Sequence, residues 1–165
     1  MNDAHLHMLV NHFPIVGTIL GLLVLIGGLF LKNNSVKNTS YCLFVIAAIF
    51  AFFSMATGDG AEKLVEDMPT IGHEIIHEHE ELAEKFAIIL YLLGVVSIIG
   101  LITNVKKHPK ANFFSYAIAV IAIVAVFFST KVGTSGGEIR HTEIRTDSVS
   151  AIMNSGSSES NTDKD

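Results

Sequence analysis

The fold is decided by residues 72–103, GHEIIHEHEELAEKFAIILYLLGVVSIIGLIT, in which a polar segment rich in histidine and glutamate runs directly into a long apolar one. The apolar part approaches the length of about 20 residues that an α-helix needs to cross the hydrocarbon core of a bilayer. In lipid, a single short segment can pair all of its backbone N–H and C=O groups only as a helix. We therefore predict a membrane-spanning helix whose first turns carry histidines at the water boundary.

Three further apolar segments of similar length accompany this one. Half of the 165 residues are apolar and only 16% are charged, which indicates a membrane protein. We predict an all-α fold, a four-transmembrane-helix bundle formed by residues 1–145, followed by a disordered tail at 146–165. The four spans are expected at about 8–31, 41–57, 79–103 and 112–132.

The charges divide the connections into two groups. The connections 31–40 and 104–112 contain lysines and no acidic residue, whereas all 16 acidic residues lie in the N-terminus, in 58–85 or in the C-terminal region. Connections rich in lysine stay in the cytoplasm. We expect a multi-pass protein of the bacterial inner membrane with both termini in the periplasm. The chain lacks the basic patch that a nucleic-acid partner would require.

Glycines suggest several local features. Gly17 and Gly21 form a small-xxx-small face that would suit either internal helix packing or a homo-oligomer. Gly-Asp-Gly at 58–60 is expected to break the second helix, and a short interfacial helix is expected at 61–68, between spans 2 and 3. The adjacent glycines at 136–137 predict either a sharp turn or a close approach of the backbone to another group.

A helical wheel separates the histidines of the third helix. At about 100° per residue, His73 and His77 share an arc with glutamates and lysine, while His79 lies among leucine, isoleucine and phenylalanine. We predict that His73 and His77 face water and that His79 faces the bundle. A histidine on the inner side of a membrane helix needs a hydrogen-bond acceptor, a metal or a haem iron as partner.

The first functional interpretation is a cofactor site at the outer end of the bundle. Bundles build such sites between facing helices, imidazole suits zinc, copper and iron, and haem requires only two axial ligands. The cofactor would be haem b, copper or zinc, and its affinity should fall as protons compete for the imidazoles. The candidate ligands are His7, His12, His79 and His141, with Glu80 and Arg140 as groups that orient them or balance their charge.

Two alternatives compete with this interpretation. The pattern His73-Glu74-x-x-His77 matches that of zinc metalloproteases, but the wheel places its histidines on the solvated arc and no third ligand is evident. The other alternative is a non-catalytic structural or accessory subunit of a membrane complex, in which the glutamates simply favour the positive end of a helix dipole. No residue is assigned a catalytic role.

The sequence resembles a widespread bacterial family of predicted four-helix membrane proteins of unknown function. Its opening His-Pro-x-x-x-His-Phe-Pro is similar to His7 through Pro14 here, with Met8 in place of the first proline. The histidine at the start of the family's third helix corresponds to His79. The closing Gly-Gly-x-x-x-x-His corresponds to Gly136-Gly137 with His141, one residue shorter.

The resemblance covers residues 6–145 and carries two implications. Relatives fused to cytochrome c or iron–sulfur domains imply an electron-transfer or respiratory context, with respiratory-chain or cytochrome proteins as partners beside the lipid bilayer. The resemblance also selects His79 over His73 and His77, as the helical wheel does. Our hypothesis is an integral membrane protein with a periplasm-facing histidine cluster that binds haem or a transition metal.

Overall fold

The computed structural model describes residues 2–65, 73–141 and 144–145, and these contain helices and no strand. Four helical rods are long and apolar enough to cross a membrane, the first of them formed by α1 and α2 together. The predicted all-α architecture with four membrane helices is therefore confirmed. The helices are α1 (Asp3–Val10), α2 (His12–Phe30), α3 (Asn34–Val65), α4 (His73–Val105) and α5 (Ala111–Arg140).

The helices form a closed ring. Each of α2, α3 and α4 packs against the helix that follows it, α5 returns to α2, and α1 lies against α3. The core between them contains Leu25, Tyr41, Phe44, Leu90 and Ile118, all fully buried. One end of the bundle carries His7 and His79 and is called the histidine end below. The other carries the lysine-rich connections 31–33 and 106–110 and is called the lysine end.

Small residues set the distances between neighbouring helices. A Cβ built at Gly17 would lie 3.2 Å from Cβ of Ala47, and one built at Gly94 would lie 2.8 Å from Cβ of Ala48. Gly21 lies against the Phe44 ring in the same way. The small-xxx-small face of α2 is therefore used for packing within the chain, against α3.

The break between α1 and α2 has a local cause. Asn11 separates the two helices, although its own backbone keeps right-handed helical angles (φ −67°, ψ −21°). Pro14 has no N–H to donate to the carbonyl of Val10, and its ring crowds that carbonyl, so the helix is interrupted there. Pro14 itself falls within the first turn of α2, where proline is tolerated.

The prediction that Gly-Asp-Gly breaks the second helix is wrong. Residues 58–60 lie inside α3, which continues without interruption to Val65. Residues 61–65 of the expected interfacial helix belong to α3 as well, and 66–68 lie outside the described residues. A helical glycine costs about 1 kcal/mol relative to alanine. Here the cost is offset because α1 packs closely on this surface, with Asp3 against Gly60.

Of the two predictions for Gly136-Gly137, the close approach is confirmed and the sharp turn is wrong. Both glycines lie within α5, which runs on to Arg140. Gly136 faces α4, where a Cβ added to it would lie 3.0 Å from Cε1 of His79. The expected disordered tail at 146–165 lies outside the described residues.

Candidate histidine site at one end of the bundle

His7 is held between α1 and α3 at the histidine end. Its Nδ1 lies 3.0 Å from the carbonyl oxygen of Ser54 and 3.2 Å from Oγ1 of Thr57. The Thr57 hydroxyl donates its own proton to the carbonyls of Phe53 and Ser54, so its oxygen can only accept from the imidazole. Both partners of His7 Nδ1 are therefore acceptors, and Nδ1 must carry the proton.

His79 is held between α4 and α5 in a similar manner. Its Nδ1 lies 2.9 Å from Oγ of Ser135, which is itself buried. The Ser135 hydroxyl donates to the carbonyl of Val132 at 3.2 Å. With its proton on that carbonyl the hydroxyl accepts from Nδ1–H of His79, and in the other tautomer it donates to Nδ1. The ring packs against the backbone of Gly136. The prediction that His79 faces the bundle is confirmed.

The two imidazoles form a pair with matching contacts. Both rings are half-buried, and each contacts an oxygen of a neighbouring helix through Nδ1. They are close enough that a charge on His7 acts on His79. A neutral imidazole with its proton on Nδ1 has its lone pair on Nε2, which is the atom that binds a metal. Hydrogen bonds of this kind orient metal-binding histidines in known sites.

The other two predicted ligands are placed differently. His12 is exposed, and its Nδ1 lies 3.3 Å from the carbonyl oxygen of Met8 on the preceding turn. His141 follows the last residue of α5, donates its backbone N–H to the carbonyl of Gly137, and has an exposed side chain. Among the described residues, no three His, Cys, Asp or Glu side chains are arranged to hold one metal ion. A site with four histidine ligands stays a prediction.

The histidines of the protease-like pattern face water, as predicted. His73 and His77 are both exposed, and the side chain of His77 is 74% exposed. His77 Nε2 lies 3.6 Å from Oε1 of Glu81, and its Nδ1 lies 4.0 Å from Oε2 of Glu80. These contacts are those of a solvated helix surface.

The groups predicted to orient the ligands have other surroundings. Glu80 lies near Glu62 of α3, and its carboxyl group interacts with that carboxyl group rather than with the histidine pair. The residues that contact the histidine pair by hydrogen bonds are instead Ser54, Thr57 and Ser135. Arg140 lies at the end of α5, and its side chain is outside the described residues.

Sequence reasoning missed the three residues whose oxygen atoms contact the histidine pair. Ser54 and Thr57 lie 47 and 50 residues from His7, and Ser135 lies 56 residues from His79. One signal was present, because Ser135 directly precedes the glycine pair that was expected to approach another group. The register between helices, which decides the partner, cannot be read from the periodicity of one helix.

The donor set fits one class of cofactor chemistry. Two neutral imidazoles supply two nitrogen ligands, which is the number of axial ligands that a haem iron takes and part of the set preferred by copper and zinc. Gly136 lies within van der Waals reach of the His79 ring, so the backbone of α5 bounds the space on that side. The residues therefore fit a metal held by His7 and His79 in their donor chemistry.

Comparisons with known proteins give one match. The family model described as "Predicted membrane protein (DUF2231)" matches residues 4–143, a range that includes both histidines of the pair and every helix described above except the first residue of α1. A search of curated proteins found no match to this chain, and a search of solved structures found none either.

Proposed function

We propose, since this chain belongs to the DUF2231 family of predicted membrane proteins, that it is a bacterial inner-membrane protein whose histidine end binds a transition metal. Nε2 of His7 and Nε2 of His79 are the ligands, and the metal is copper, zinc or the iron of haem b. The histidine end and both termini face the periplasm. The role is electron transfer or metal handling beside respiratory-chain or cytochrome proteins.

The matching Nδ1 contacts of the two histidines carry this proposal. A neutral imidazole has one donor and one acceptor nitrogen, and the acceptor nitrogen is the one that can bind a metal. In the described part of the chain, His7 and His79 have hydrogen bonds at Nδ1 and none at Nε2. Two neighbouring rings that keep the same nitrogen unbonded support a shared ligand at that nitrogen. The orientation by Ser54 and Ser135 matches the support that metal-binding histidines receive.

The test is a cofactor analysis of the full chain, purified in detergent from cells supplied with iron, copper and zinc. A reduced-minus-oxidised visible spectrum detects haem, and elemental analysis detects bound copper or zinc. We expect a stoichiometric cofactor that is lost in His7→Ala and in His79→Ala. His73→Ala/His77→Ala is the matched control, because it removes two exposed histidines from the same helix, and it should keep the cofactor.

Two further variants decide the size of the site. If His12→Ala and His141→Ala keep the cofactor, the site consists of the pair alone; loss in either variant extends it to that residue. A colourless, metal-free protein from cells supplied with these metals would refute the proposal. It would favour the alternative, a non-catalytic subunit of a membrane complex. Retention of the cofactor in His7→Ala or His79→Ala would refute it as well.

The proposed orientation is tested separately. A topology reporter fused after Lys107 should report the cytoplasm, because the lysine end carries Lys32, Lys106 and Lys110 and no acidic residue in its connections. A reporter fused after Arg145 should report the periplasm. The opposite result at both positions would place the histidine end in the cytoplasm.

A further inference from the structure

We propose that the lysine end contains a phosphate-binding site formed by the side chain of Lys37 and the first turn of α5. Lys37 is only 4% exposed although it carries an amino group, which makes it unusual among lysines. Its Nζ donates to Oδ1 of Asn112 at 3.3 Å. As an ammonium it has three N–H donors, so this contact uses one of them.

The packing of α2 is adapted to this side chain. A Cβ built at Gly28 would lie 2.9 Å from Cγ of Lys37 and 2.9 Å from its backbone nitrogen. Gly28 therefore leaves room for the backbone and the first part of the side chain of Lys37. Gly27, the preceding residue, has nothing within 4 Å of the same added atom. The close packing of Gly28 against Lys37 therefore fixes the buried position of the lysine.

The surroundings of Lys37 are positive and contain no acidic residue. Along the sequence no Asp or Glu occurs between Asp3 and Asp59, or between Glu84 and Glu138. Asp59, the nearest acid on α3, is 22 positions away from Lys37, or about 33 Å along a helix. The acidic residues of the neighbouring helices also lie at the histidine end. A buried ammonium is costly unless an anion accompanies it.

The first turn of α5 adds donors next to this ammonium. The N-cap position of α5 is Lys110, and no side chain caps the helix there. The start of α3 differs, because Oδ1 of Asn33 accepts from the backbone nitrogens of Ser35 and Val36. The backbone N–H groups of Lys110 and Ala111 donate to His108, which leaves those of Asn112 and Phe113 as the donors of this turn. Such N–H groups at a helix N-terminus attract anions, and the Asn112 side chain already contacts Lys37. The ligand that fits is an oxyanion, which can accept from Lys37 and from this turn together.

Phosphate is the oxyanion that a membrane presents at this depth. Lys37 begins the second turn of a membrane-spanning helix, at the level where lipid headgroups meet the hydrocarbon core. The same chemistry belongs to the headgroup phosphate of an anionic lipid and to soluble phosphate. The exposed lysines of the two connections raise the local anion concentration: Lys32, Lys106, Lys107 and Lys110.

The experiment compares the two sources of phosphate on the full chain in detergent. Native mass spectrometry measures retention of phosphatidylglycerol relative to phosphatidylcholine, and a heating assay measures stabilisation by inorganic phosphate. We expect selective retention of phosphatidylglycerol or stabilisation by phosphate in the wild type. Lys37→Met should reduce the affinity for phosphatidylglycerol or for phosphate by roughly tenfold, which is the scale of losing one charge-assisted hydrogen bond. The control Lys106→Met removes an exposed lysine and should change it less than twofold.

Further variants keep the test valid if Lys37→Met folds poorly. Asn112→Ala alters an exposed residue and should weaken binding severalfold. Gly28→Ala should weaken it by displacing the lysine side chain, whereas Gly27→Ala should not. A response to inorganic phosphate alone assigns the site to the soluble anion, and a response to the lipid assigns it to the headgroup. A wild type with neither response, or an undiminished response in Lys37→Met and Asn112→Ala, would overturn the proposal.

Discussion

The contact between Gly21 and Phe44 is the tightest test of the bundle core. A Cβ added at Gly21 would lie 2.6 Å from Cε1 and 2.8 Å from Cδ1 of the Phe44 ring. Carbon atoms in contact are about 3.5 to 4.0 Å apart, so the ring would have to move by about 1 Å. Phe44 is fully buried and contacts the core on all sides, so the movement must disturb its neighbours. Gly27 of the same helix has open space at this position.

The expected stability difference follows from two opposing terms. Replacing a helical glycine by alanine stabilises by about 1 kcal/mol at either position. Overpacking of a filled core costs about 1 to 3 kcal/mol, and only Gly21→Ala incurs this cost. Gly21→Ala should therefore be less stable than Gly27→Ala by about 1 to 3 kcal/mol. For a chain of this size that corresponds to a melting temperature lower by about 2 to 12 °C.

The assay is the fraction of monodisperse protein that size-exclusion chromatography recovers after heating in detergent. Gly27→Ala should melt at or slightly above the temperature of the wild type, and Gly21→Ala clearly below Gly27→Ala. Adding Phe44→Leu to Gly21→Ala should recover part of the loss, because a smaller side chain relieves the contact. Equal melting temperatures for the two single variants would refute the packing of α2 against α3 described above.

Three further predictions concern the histidine end. Ser135→Ala removes the hydrogen-bond partner of His79 Nδ1 and should weaken metal binding about 10- to 100-fold. The control Ser129→Ala removes a buried hydroxyl that donates to its own helix, and it should leave the titrated affinity unchanged. Gly136→Ala should displace the His79 ring and reduce cofactor occupancy in purified protein, while Gly133→Ala, with its nearest neighbour at 3.9 Å, should not. Acidification to below the ordinary titration range of histidine should release the cofactor on dialysis, since protons compete for neutral imidazole, and restored pH should permit rebinding; an occupancy that does not fall with pH would contradict imidazole ligation.

The sequence predicted those features that depend on one helix at a time. Length and apolar content predicted four membrane-crossing helices, and helical periodicity separated the half-buried His79 from the exposed His73 and His77. Features that depend on the contact between two helices were not accessible. The register that brings Ser135 to His79 is set by packing along the whole of α4 and α5. Periodicity shows which face a residue occupies, but not which residue lies opposite it.

The glycines of the histidine end explain why local rules failed there. Gly58 and Gly60 were expected to break a helix and Gly136 to allow a turn, yet all three are helical and each faces another helix. Gly60 lies against Asp3, and Cβ atoms added at Gly58 and Gly136 would lie 3.9 Å and 3.0 Å from Cε1 of His7 and His79, respectively. At Gly136 the imidazole occupies volume that a facing Cβ would otherwise take, whereas a Cβ at Gly58 would make an ordinary contact with His7. Packing therefore accounts for Gly60 and Gly136, where tertiary contact overrides the low helix propensity of the residue. Gly60 and Gly136 thus mark close neighbours on another helix, whereas Gly27 of α2 has open space.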